Sequence, residues 1–385
     1  MEIRKITQSE YAVSEKLECI AFTYDRDFGK QDGPDSHPDR LGAFENGKMV
    51  ACLDSFPYRV MLNGSEFGMA GVGNVASLPE ERRKGHVSAL LRLALEQSRE
   101  RGDAVSFLFP FSNVYYRRFG YETAMLRNEV SIPVSAFKSF SPGGTMELYV
   151  PGESTEEIKE IYRDFISDKN MMSVRDDRAW EKLLGEDPYR SVRYVYVHRG
   201  ESAKADGYVI LKPREPELKI EEMAFRNHGA LLGMFGFFYR FLGNFDTVRY
   251  DAPAFLDFHL LLPEPYDVKE KRSAVGMVRI VNAARALAAV NPPKSGEPVA
   301  IRVSDDFLEW NNGTFSVCLR NGKTCVRATD WAPDLACDVR TLAQLISGYV
   351  PLETCASLGR VQMNDRAEEL SRMFSRMPPC LYDMF

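Results

Sequence analysis

The stretch VASLPEERRKGHVSALLRLALEQSRERGD, residues 75–103, decides the fold because it joins a strand-like segment to a long amphipathic helix. Apolar residues recur with helical spacing at Val87, Leu90, Leu91, Ala94 and Leu95. Gly102 follows the last turn and predicts the helix end, because glycine readily adopts the left-handed conformation of a C-terminal cap. Arg82, Arg83 and Lys84 stand where the helix begins, although a helix N-terminus carries partial positive charge and favours anions.

The cationic start of this helix fits a bound anion. A loop of Arg-Arg-Lys-Gly before a helix offers free backbone N–H groups, the helix dipole and three positive side chains together, a combination that suits a pyrophosphate. Gly85 has no Cβ, so the backbone can approach a ligand closely there. A solvated basic turn is the alternative, and the spacing by itself leaves both interpretations open.

Length and composition exclude several classes of protein. A chain of 385 residues predicts two or three domains, and a net charge of −6 argues against a general nucleic-acid binder. No apolar run has the length of a membrane span, and the N-terminal segment lacks the apolar core of a secretory signal. The seven cysteines form no CxxC and the five histidines no HExxH. These features predict a reduced, cytoplasmic protein without a metal site.

Residues 1–150 have the pattern of a mixed α/β domain. Asn63-Gly64 lies between two strand-like runs and predicts a tight hairpin turn. Residues 71–76, GVGNVA, match the dinucleotide-binding pattern GxGxxG/A. That pattern requires a helix to open at once, whereas here strand-like residues and then Pro79 follow. We therefore expect residues 71–76 to continue a strand.

The rest of the chain divides into two further domains. In residues 151–275 the predicted order of three strands and a helix resembles the core of residues 1–150, which suggests a degenerate duplication. Residues 276–385 begin with a predicted amphipathic helix over 277–290 and contain a hairpin signal at Asn321-Gly322. The predicted fold class is α/β (α+β), with domains at 1–150, 151–275 and 276–385.

Two motifs resemble those of the GNAT acetyltransferases. The segment VASLPEERRKGHVSALL resembles their acetyl-CoA motif, R/Q-x-x-G-x-G/A, with Arg82, Gly85 and Val87 at the three positions. Val87 replaces the usual glycine or alanine. Residues 116–121, YRRFGY, resemble the family's Y-x-x-x-G-F/Y.

The whole chain resembles the Eis (enhanced intracellular survival) family within the GNAT enzymes. The segments SVRDDRAWEKLL, MVRIVNAARAL, GTFSVCLRNGKTCVRATD and DVRTLAQLISGY lie in the order and spacing of that family, and the chain ends on an aromatic residue. The resemblance implies tandem GNAT-like domains, the first catalytic and the second degenerate, followed by a sterol-carrier-protein-like α+β domain that ends at the active site. It also implies a homo-oligomer, a hexamer.

The resemblance implies an acetyl-CoA-dependent N-acetyltransferase that transfers the acetyl group directly to a primary amine in a ternary complex, with acetyl-CoA as co-substrate. It places the cofactor on three groups of residues: the pantetheine on Val75, Ala76 and Ser77, the pyrophosphate on Arg83, Lys84, Gly85, His86, Val87 and Ser88, and the far side on Phe111 and Ser112. For His86, the backbone N–H is the favoured contact, and a solvated side chain is as compatible with the sequence as a direct side-chain contact.

Acetyl transfer to an amine requires a base for the ammonium and an acid for the departing thiolate. The resemblance places the acid at Tyr116, although Tyr115 and Tyr121 are close by. It places the base at the terminal carboxylate of Phe385. A free α-carboxyl has a pKa of about 3.3–3.7, and burial of this apolar chain end would raise it. The alternative is a tail that packs for stability or frays.

The acceptor is the least constrained part of the prediction. Asp25 and Asp27 lie in the loop TYDRDFGKQDGPDSHPD, where the family has its substrate rim, and carboxylates there would attract an aminoglycoside-like or polyamine-like cation. A solvated acidic loop is the alternative. Two other functions remain open: a protein-lysine acetyltransferase, which would share the site, and a non-catalytic protein that binds a lipid or other apolar ligand.

Overall fold

The computed structural model describes residues 1–23, 39–141, 143–293, 296–374 and 376–383. They divide into two compact units. Unit 1 comprises residues 1–124 and 275–376 together with Asp383, and unit 2 comprises residues 125–274 and 377–382. Within these described ranges no helix has the length and apolar character needed to cross a bilayer.

The described residues form strands throughout the chain. Their bounds are β1 Glu2–Lys5, β2 Arg40–Glu45, β3 Lys48–Leu62, β4 Ser65–Ser77, β5 Val105–Leu108, β6 Glu122–Pro133, β7 Thr145–Leu148, β8 Tyr194–Arg199, β9 Ala205–Arg214, β10 Glu217–Phe225, β11 Thr247–Ala252, β12 Lys269–Ile280, β13 Val299–Ser304, β14 Gly313–Arg320, β15 Lys323–Thr329, β16 Leu335–Asp338 and β17 Val361–Met363.

Helices connect and cover these strands. Their bounds are α1 Tyr11–Phe22, α2 His86–Arg101, α3 Asn113–Arg117, α4 Glu156–Ile166, α5 Asp177–Leu184, α6 His228–Phe238, α7 Phe258–Leu261, α8 Ala283–Leu287, α9 Val339–Ser347, α10 Leu352–Ser357 and α11 Ala367–Met373.

The main sheet of unit 1 has the strand order β1-β2-β3-β4-β5-β12. Only β4 and β5 are parallel, because α2 crosses over between them, and the other neighbours are antiparallel. The Asn63-Gly64 turn is confirmed: Asn63 has φ 49° and Gly64 φ 77°, and Leu62 pairs with Ser65. The strand β4 runs unbroken through residues 71–76, which confirms that this glycine-rich segment is not a dinucleotide loop.

The predicted helix α2 is confirmed at both ends. It begins at His86 and ends at Gly102, which has φ 85° and donates its N–H to Arg99 and Ser98 carbonyls. Its apolar stripe is buried in the core of unit 1 at Leu90, Leu91, Ala94 and Leu95. Burial of that stripe fixes the helix on the sheet and leaves its N-terminus at the end of β4.

The predicted helix over 277–290 is wrong. Residues 277–280 belong to β12 and pair antiparallel with β5, from Met277 with Leu108 to Ile280 with Val105. Only Ala283–Leu287 is helical, and the Asn282 side chain caps it by accepting the Arg285 N–H at 3.1 Å. An apolar run of this length cannot be assigned to strand or helix by periodicity alone, and here pairing with a central strand decides it.

Unit 1 also contains a smaller sheet with the order β15-β14-β13-β16-β17. The Asn321-Gly322 hairpin is confirmed by φ values of 50° and 74° and by the pairing of Arg320 with Lys323. Helix α9 is capped by Asp338, whose side chain accepts the Thr341 N–H at 2.7 Å.

Unit 2 has one sheet, with the order β6-β11-β10-β9-β8-β7. Its β9 and β10 are antiparallel, β10 and β11 are parallel, and α6 crosses over between the parallel pair. Unit 1 has the same sequence of connections in β3, β4, α2 and β5. The two units therefore repeat one supersecondary arrangement, as the duplication suggested.

Candidate active site

The parallel strands β4 and β5 separate before β4 ends. They pair only from Met69 with Val105 to Val72 with Leu108. On its other side β4 stays paired with β3 as far as Ser77 with Ala51. Among the described residues, Val75, Ala76 and Ser77 therefore have a strand neighbour on one side only. The free side is an edge to which an extended ligand can hydrogen-bond as a further strand would.

A bulge at Asn74 accompanies this separation. The register of β3 against β4 shifts between Cys52 and Asp54, so β4 carries an extra residue. Asn74 has φ 50°, and its amide donates to Asp54 Oδ2 at 2.8 Å. Asp54 is in turn held by Arg40, at 2.6 Å in a fully buried ion pair. A bulge bends its strand and ends regular pairing, so this buried network fixes the shape of the β4 edge.

The N-terminus of α2 is open. Gly85 is the N-cap, with φ 91° and no side-chain cap. Ala89 N–H donates to the Gly85 carbonyl at 3.1 Å, so the N–H groups of residues 86–88 lack an acceptor within the helix. A Cβ built on Gly85 would meet no atom within 4 Å. The free N–H groups, the helix dipole and the open space together fit a phosphate group.

Two arginines supply the free positive charge at this end. Arg82 and Arg83 are exposed, and within the described residues neither forms an ion pair. Lys84 differs, because its Nζ lies 2.9 Å from Glu81 Oε2, and this hydrogen bond lowers the pKa of Glu81 below its usual value. Arg83 has φ 67°, a left-handed conformation that follows from the tight turn before the helix.

His86 is buried rather than solvated. Its side chain is only 4% exposed, with Nδ1 at 3.3 Å from Met1 Sδ and Nε2 at 3.4 Å from Glu81 Oε2. The imidazole is therefore occupied by protein contacts, and the backbone N–H is the part of His86 that remains for a ligand. Val87 and Ser88 follow it as partly buried residues of the first helical turn.

Tyr116 lies in the short helix α3, which begins after β5. The Ser112 hydroxyl caps this helix by accepting the Tyr115 N–H at 3.3 Å. The Tyr116 side chain is 3% exposed and packs edge-to-face against Phe111 and Tyr115, with ring centroids 5.4 and 5.2 Å away. Burial raises the pKa of Tyr116 well above 10. No described residue hydrogen-bonds to its hydroxyl, so that group is available to a substrate.

The neighbouring tyrosines differ from Tyr116. The Tyr121 hydroxyl lies 2.8 Å from Ser106 Oγ in the core, and burial raises its pKa to about 12. Tyr121 therefore has a structural partner. Tyr115 is only half-buried and packs on Phe111, which is 70% exposed. The structure thus brings Phe111, Ser112 and Tyr116 together on one turn after β5.

Three of the predicted site residues, Asp25, Asp27 and Phe385, lie outside the described residues. Their roles stay predictions. In the described part of the chain no group of three or more His, Cys, Asp and Glu side chains is arranged to hold a metal ion.

Sequence reasoning missed the support beneath the Y-x-x-x-G segment. Arg279, on β12, is fully buried and pairs with Asp305 at 2.5 Å. Its guanidinium lies against Gly120, where a Cβ would stand 2.7 Å from Arg279 Cζ. Only a charged residue within an otherwise apolar run, MVRIV, could have drawn attention to this position.

Comparison with known proteins identifies the family. The model for an acetyltransferase (GNAT) domain matches residues 2–124, a second model with the same description matches 171–280, and a sterol carrier protein domain matches 283–382. The chain belongs to the GNAT acetyltransferases. This GNAT chain is an acyltransferase, and its domain order confirms the predicted fold class of tandem GNAT-like domains followed by a sterol-carrier-protein-like domain. The predicted boundaries at 150 and 275 stay predictions.

Relatives of this GNAT acetyltransferase extend over nearly its whole length. An uncharacterized N-acetyltransferase from Streptomyces avermitilis is 25% identical over 350 residues, which is 84% of this chain and 82% of that one. The crystal structure of a GCN5-related N-acetyltransferase from Anabaena variabilis has 23% identity and a TM-score of 0.87, covering all of both chains. Eis1 from Mycobacterium abscessus has 23% identity and a TM-score of 0.82, again over all of both chains. The fold is therefore shared along the full length of the chain.

Proposed function

We propose that this enzyme transfers the acetyl group of acetyl-CoA to a primary amine of a cationic small molecule of the aminoglycoside or polyamine type. The proposal depends on the occurrence of two features together: a free β4 edge at Val75–Ser77 and an open helix N-terminus at Gly85. The first feature suits an extended amide-containing arm, and the second suits a diphosphate. Acetyl-CoA contains both.

The residues present fit the two parts of acetyl-CoA. Backbone groups of Val75, Ala76 and Ser77 would bind the pantetheine amides along the free edge of β4. The N–H groups that open α2, from Gly85 to Ser88, would bind the pyrophosphate, with Arg83 adding free positive charge and Lys84 a charge that Glu81 partly offsets. Phe111 and Ser112 would flank the far side. Gly85 suits this position because residues with a side chain rarely adopt its φ of 91°, and because the space beside it is open.

Tyr116 would protonate the thiolate of CoA as the carbon–sulfur bond breaks. Because burial holds its pKa above 10, the phenol is protonated at neutral pH and can donate. Its hydroxyl has no hydrogen-bond partner among the described residues, so its proton is not committed elsewhere. Phe111 and Tyr115 pack against the ring and fix its direction.

The terminal carboxylate of Phe385 would accept the proton that the attacking amine loses. An alkylammonium has a pKa of about 10.4, so a base must act before the amine can attack near neutral pH. Asp25 and Asp27 would attract the positive charge of the acceptor. A hexameric assembly and a cytoplasmic location remain predictions from the resemblance and the cysteine content, and sedimentation velocity would measure the first.

Thiol release from acetyl-CoA, followed with a panel of amines, tests the proposal. We expect release with aminoglycosides or polyamines and at least a tenfold lower rate in Tyr116→Phe. Release with lysine peptides alone would instead support a protein-lysine acetyltransferase acting through the same site. If none of the amines causes thiol release and the protein binds a lipid, the proposed catalysis is wrong and the apolar-ligand alternative is supported.

A further inference from the structure

Unit 2 contains a cleft that corresponds to the cofactor cleft of unit 1. The parallel strands β10 and β11 pair only from Glu217 with Thr247 to Ile220 with Tyr250, while β10 continues against β9 to Phe225. A register shift between Ile220 and Glu222 marks a bulge at the point of separation. The β4–β5 pair separates in the same way, after four paired residues and beside a bulge.

The two clefts can be aligned by position. Val72 and Ile220 are the last paired residues on β4 and β10. Counting three residues onward, Val75 corresponds to Met223. Val75 begins the edge on which we place the pantetheine of acetyl-CoA, so Met223 marks the equivalent edge in unit 2.

The chain's own C-terminal tail contacts this second edge through Tyr382. Tyr382 Oη lies 3.1 Å from the Met223 carbonyl and 2.7 Å from Tyr250 Oη. A carbonyl only accepts, so the single Tyr382 proton goes to Met223 and Tyr250 donates to Tyr382. The tyrosine thus bridges β10 and β11 where the two strands part.

Hydrogen bonds to Asn170 hold the preceding part of the tail. Cys380 N–H donates to the Asn170 backbone carbonyl at 3.0 Å, and the Asn170 side-chain amide donates to the Met377 carbonyl at 3.3 Å. Cys380 and Leu381 are each 7% exposed. The residue before Met223 is also fixed, since Glu222 forms a buried ion pair with Arg175 at 2.5 Å. The tail is therefore held by hydrogen bonds and burial against unit 2.

Unit 2 lacks the anion-binding part of the motif. Only Arg226 and Asn227 separate β10 from α6, whereas eight residues separate β4 from α2. The Asn227 side chain caps α6 by accepting the Ala230 N–H at 2.9 Å. The N-terminus of α6, the equivalent of the diphosphate-binding end of α2, is thus capped by a side chain of the protein. No segment equivalent to Arg82-Arg83-Lys84-Gly85 precedes it.

We infer that the second GNAT-like unit uses its vestigial cofactor cleft to dock the C-terminal tail, and that Tyr382 is a positioning residue for the Phe385 carboxylate. Phe385 lies three positions after Tyr382, so their Cα atoms are at most about 11 Å apart. Fixing Tyr382 would therefore limit how far the terminal carboxylate can move. The positioning role rests on the proposed function of Phe385 as the base, whereas the docking does not.

Docking is tested without reference to activity. We expect isothermal titration with CoA to give one binding site per chain, and hydrogen exchange to show a protected Cys380 amide. Tyr382→Ala should accelerate exchange at Cys380 while leaving α2 protected. Two CoA sites per chain, or a Cys380 amide that exchanges freely in the wild-type protein, would overturn the docking.

Positioning is tested by combining two changes. Tyr382→Phe should lower kcat about tenfold with little change in KM for acetyl-CoA, because a displaced base affects the chemical step. In a chain that lacks Phe385 the same substitution should have no further effect. The matched control is Tyr266→Phe, an exposed tyrosine of unit 2, which should leave kcat unchanged.

Each outcome separates the two claims. The positioning role is wrong if removal of Phe385 lowers kcat but Tyr382→Phe does not. It is also wrong if Tyr382→Phe lowers kcat by the same factor in a chain that lacks Phe385. In both cases the proposal that Phe385 is the base is unaffected. If removal of Phe385 leaves kcat unchanged, the base proposal fails and the positioning role fails with it. The hydrogen-exchange and titration results then still decide whether the tail is docked.

Discussion

The guanidinium of Arg279 lies directly against Gly120, the glycine of the Y-x-x-x-G segment. A Cβ at residue 120 would stand 2.7 Å from Arg279 Cζ and 2.9 Å from its Nε. The Arg279 side chain is fully buried, and Nε and Nη1 have no hydrogen-bond partner within the described residues. Packing against Gly120 and the ion pair with Asp305 therefore hold the arginine in place. The glycine of the motif is needed as much for this close approach as for its φ of 79°.

Gly120→Ala should destabilise the protein by about 2–4 kcal/mol, because the left-handed backbone and the clash with Arg279 act together. Urea denaturation would measure the loss. Gly102→Ala is a matched control: its φ is 85°, but the nearest atom to its Cβ is 4.0 Å away. Gly102→Ala should lower the free energy of unfolding only by the cost of the left-handed backbone, about 1–2 kcal/mol. Equal losses in the two variants would show that the contact with Arg279 contributes nothing.

Tyr116→Phe should lower kcat and leave acetyl-CoA affinity nearly unchanged, because it removes a proton donor without altering the packing of the ring. The pH dependence of kcat provides a second measurement. Since burial raises the pKa of Tyr116 above 10, protonated tyrosine persists through alkaline pH, and no loss of kcat due to this group should occur below pH 10.

Tyr115→Phe is the control for that substitution, as its side chain adjoins the same aromatic cluster but is only half-buried. It should retain most of the wild-type kcat. A larger loss in Tyr115→Phe than in Tyr116→Phe would move the acid to Tyr115.

Arg83→Ala should weaken acetyl-CoA binding by about 1–3 kcal/mol, the range for a charge-assisted hydrogen bond, with little effect on kcat at saturation. Titration calorimetry at two salt concentrations would measure this loss. The affinity of the wild-type protein should fall more steeply with salt than that of Arg83→Ala. Arg59→Ala removes the same charge at the opposite end of the β3–β4 ladder, where Arg59 pairs with Gly68. A similar loss of affinity in that control would indicate a general charge effect.

Glu10 should contribute to stability in a defined pH range. Hydrogen bonds from Arg4, at 2.7 and 2.8 Å, lower the pKa of Glu10 from 4.5 to about 2. A carboxyl whose pKa is lower in the folded than in the unfolded chain stabilises the fold at any pH above its unfolded-state pKa. That contribution is lost as pH falls from about 4.5 through about 2. Glu10→Gln should therefore be less stable than wild type at pH 7, and the difference should vanish near pH 2. Glu100→Gln, an exposed carboxyl without an ion pair among the described residues, should show no such change.

Local patterns in the sequence predicted much of unit 1. The spacing of apolar residues in α2, the cap at Gly102 and the Asn-Gly turns depend on neighbours within a few residues, so the sequence contains all the information they need. The two GNAT motifs likewise predicted the family and the fold class, which the comparisons confirmed. The individual site residues stay predictions.

Contacts between distant residues were not predictable in this way. The segment 277–280 is a strand because β5 lies beside it, whereas its own periodicity also fits a helix. The buried pair of Arg40 with Asp54, which supports the bulge at Asn74, joins β2 to β3. The buried pair of Arg279 with Asp305 likewise has no local signature.

The sequence by itself therefore determined the helices, turns and motifs whose geometry is set by short-range sterics and hydrogen bonds. Only the tertiary structure decided where β4 leaves β5, what lies against Gly120, and that the Tyr382 hydroxyl contacts both β10 and β11. Those features depend on hydrogen bonds and close packing between segments as many as 159 residues apart. No local propensity specifies such contacts, because their energy exists only once the chain has folded.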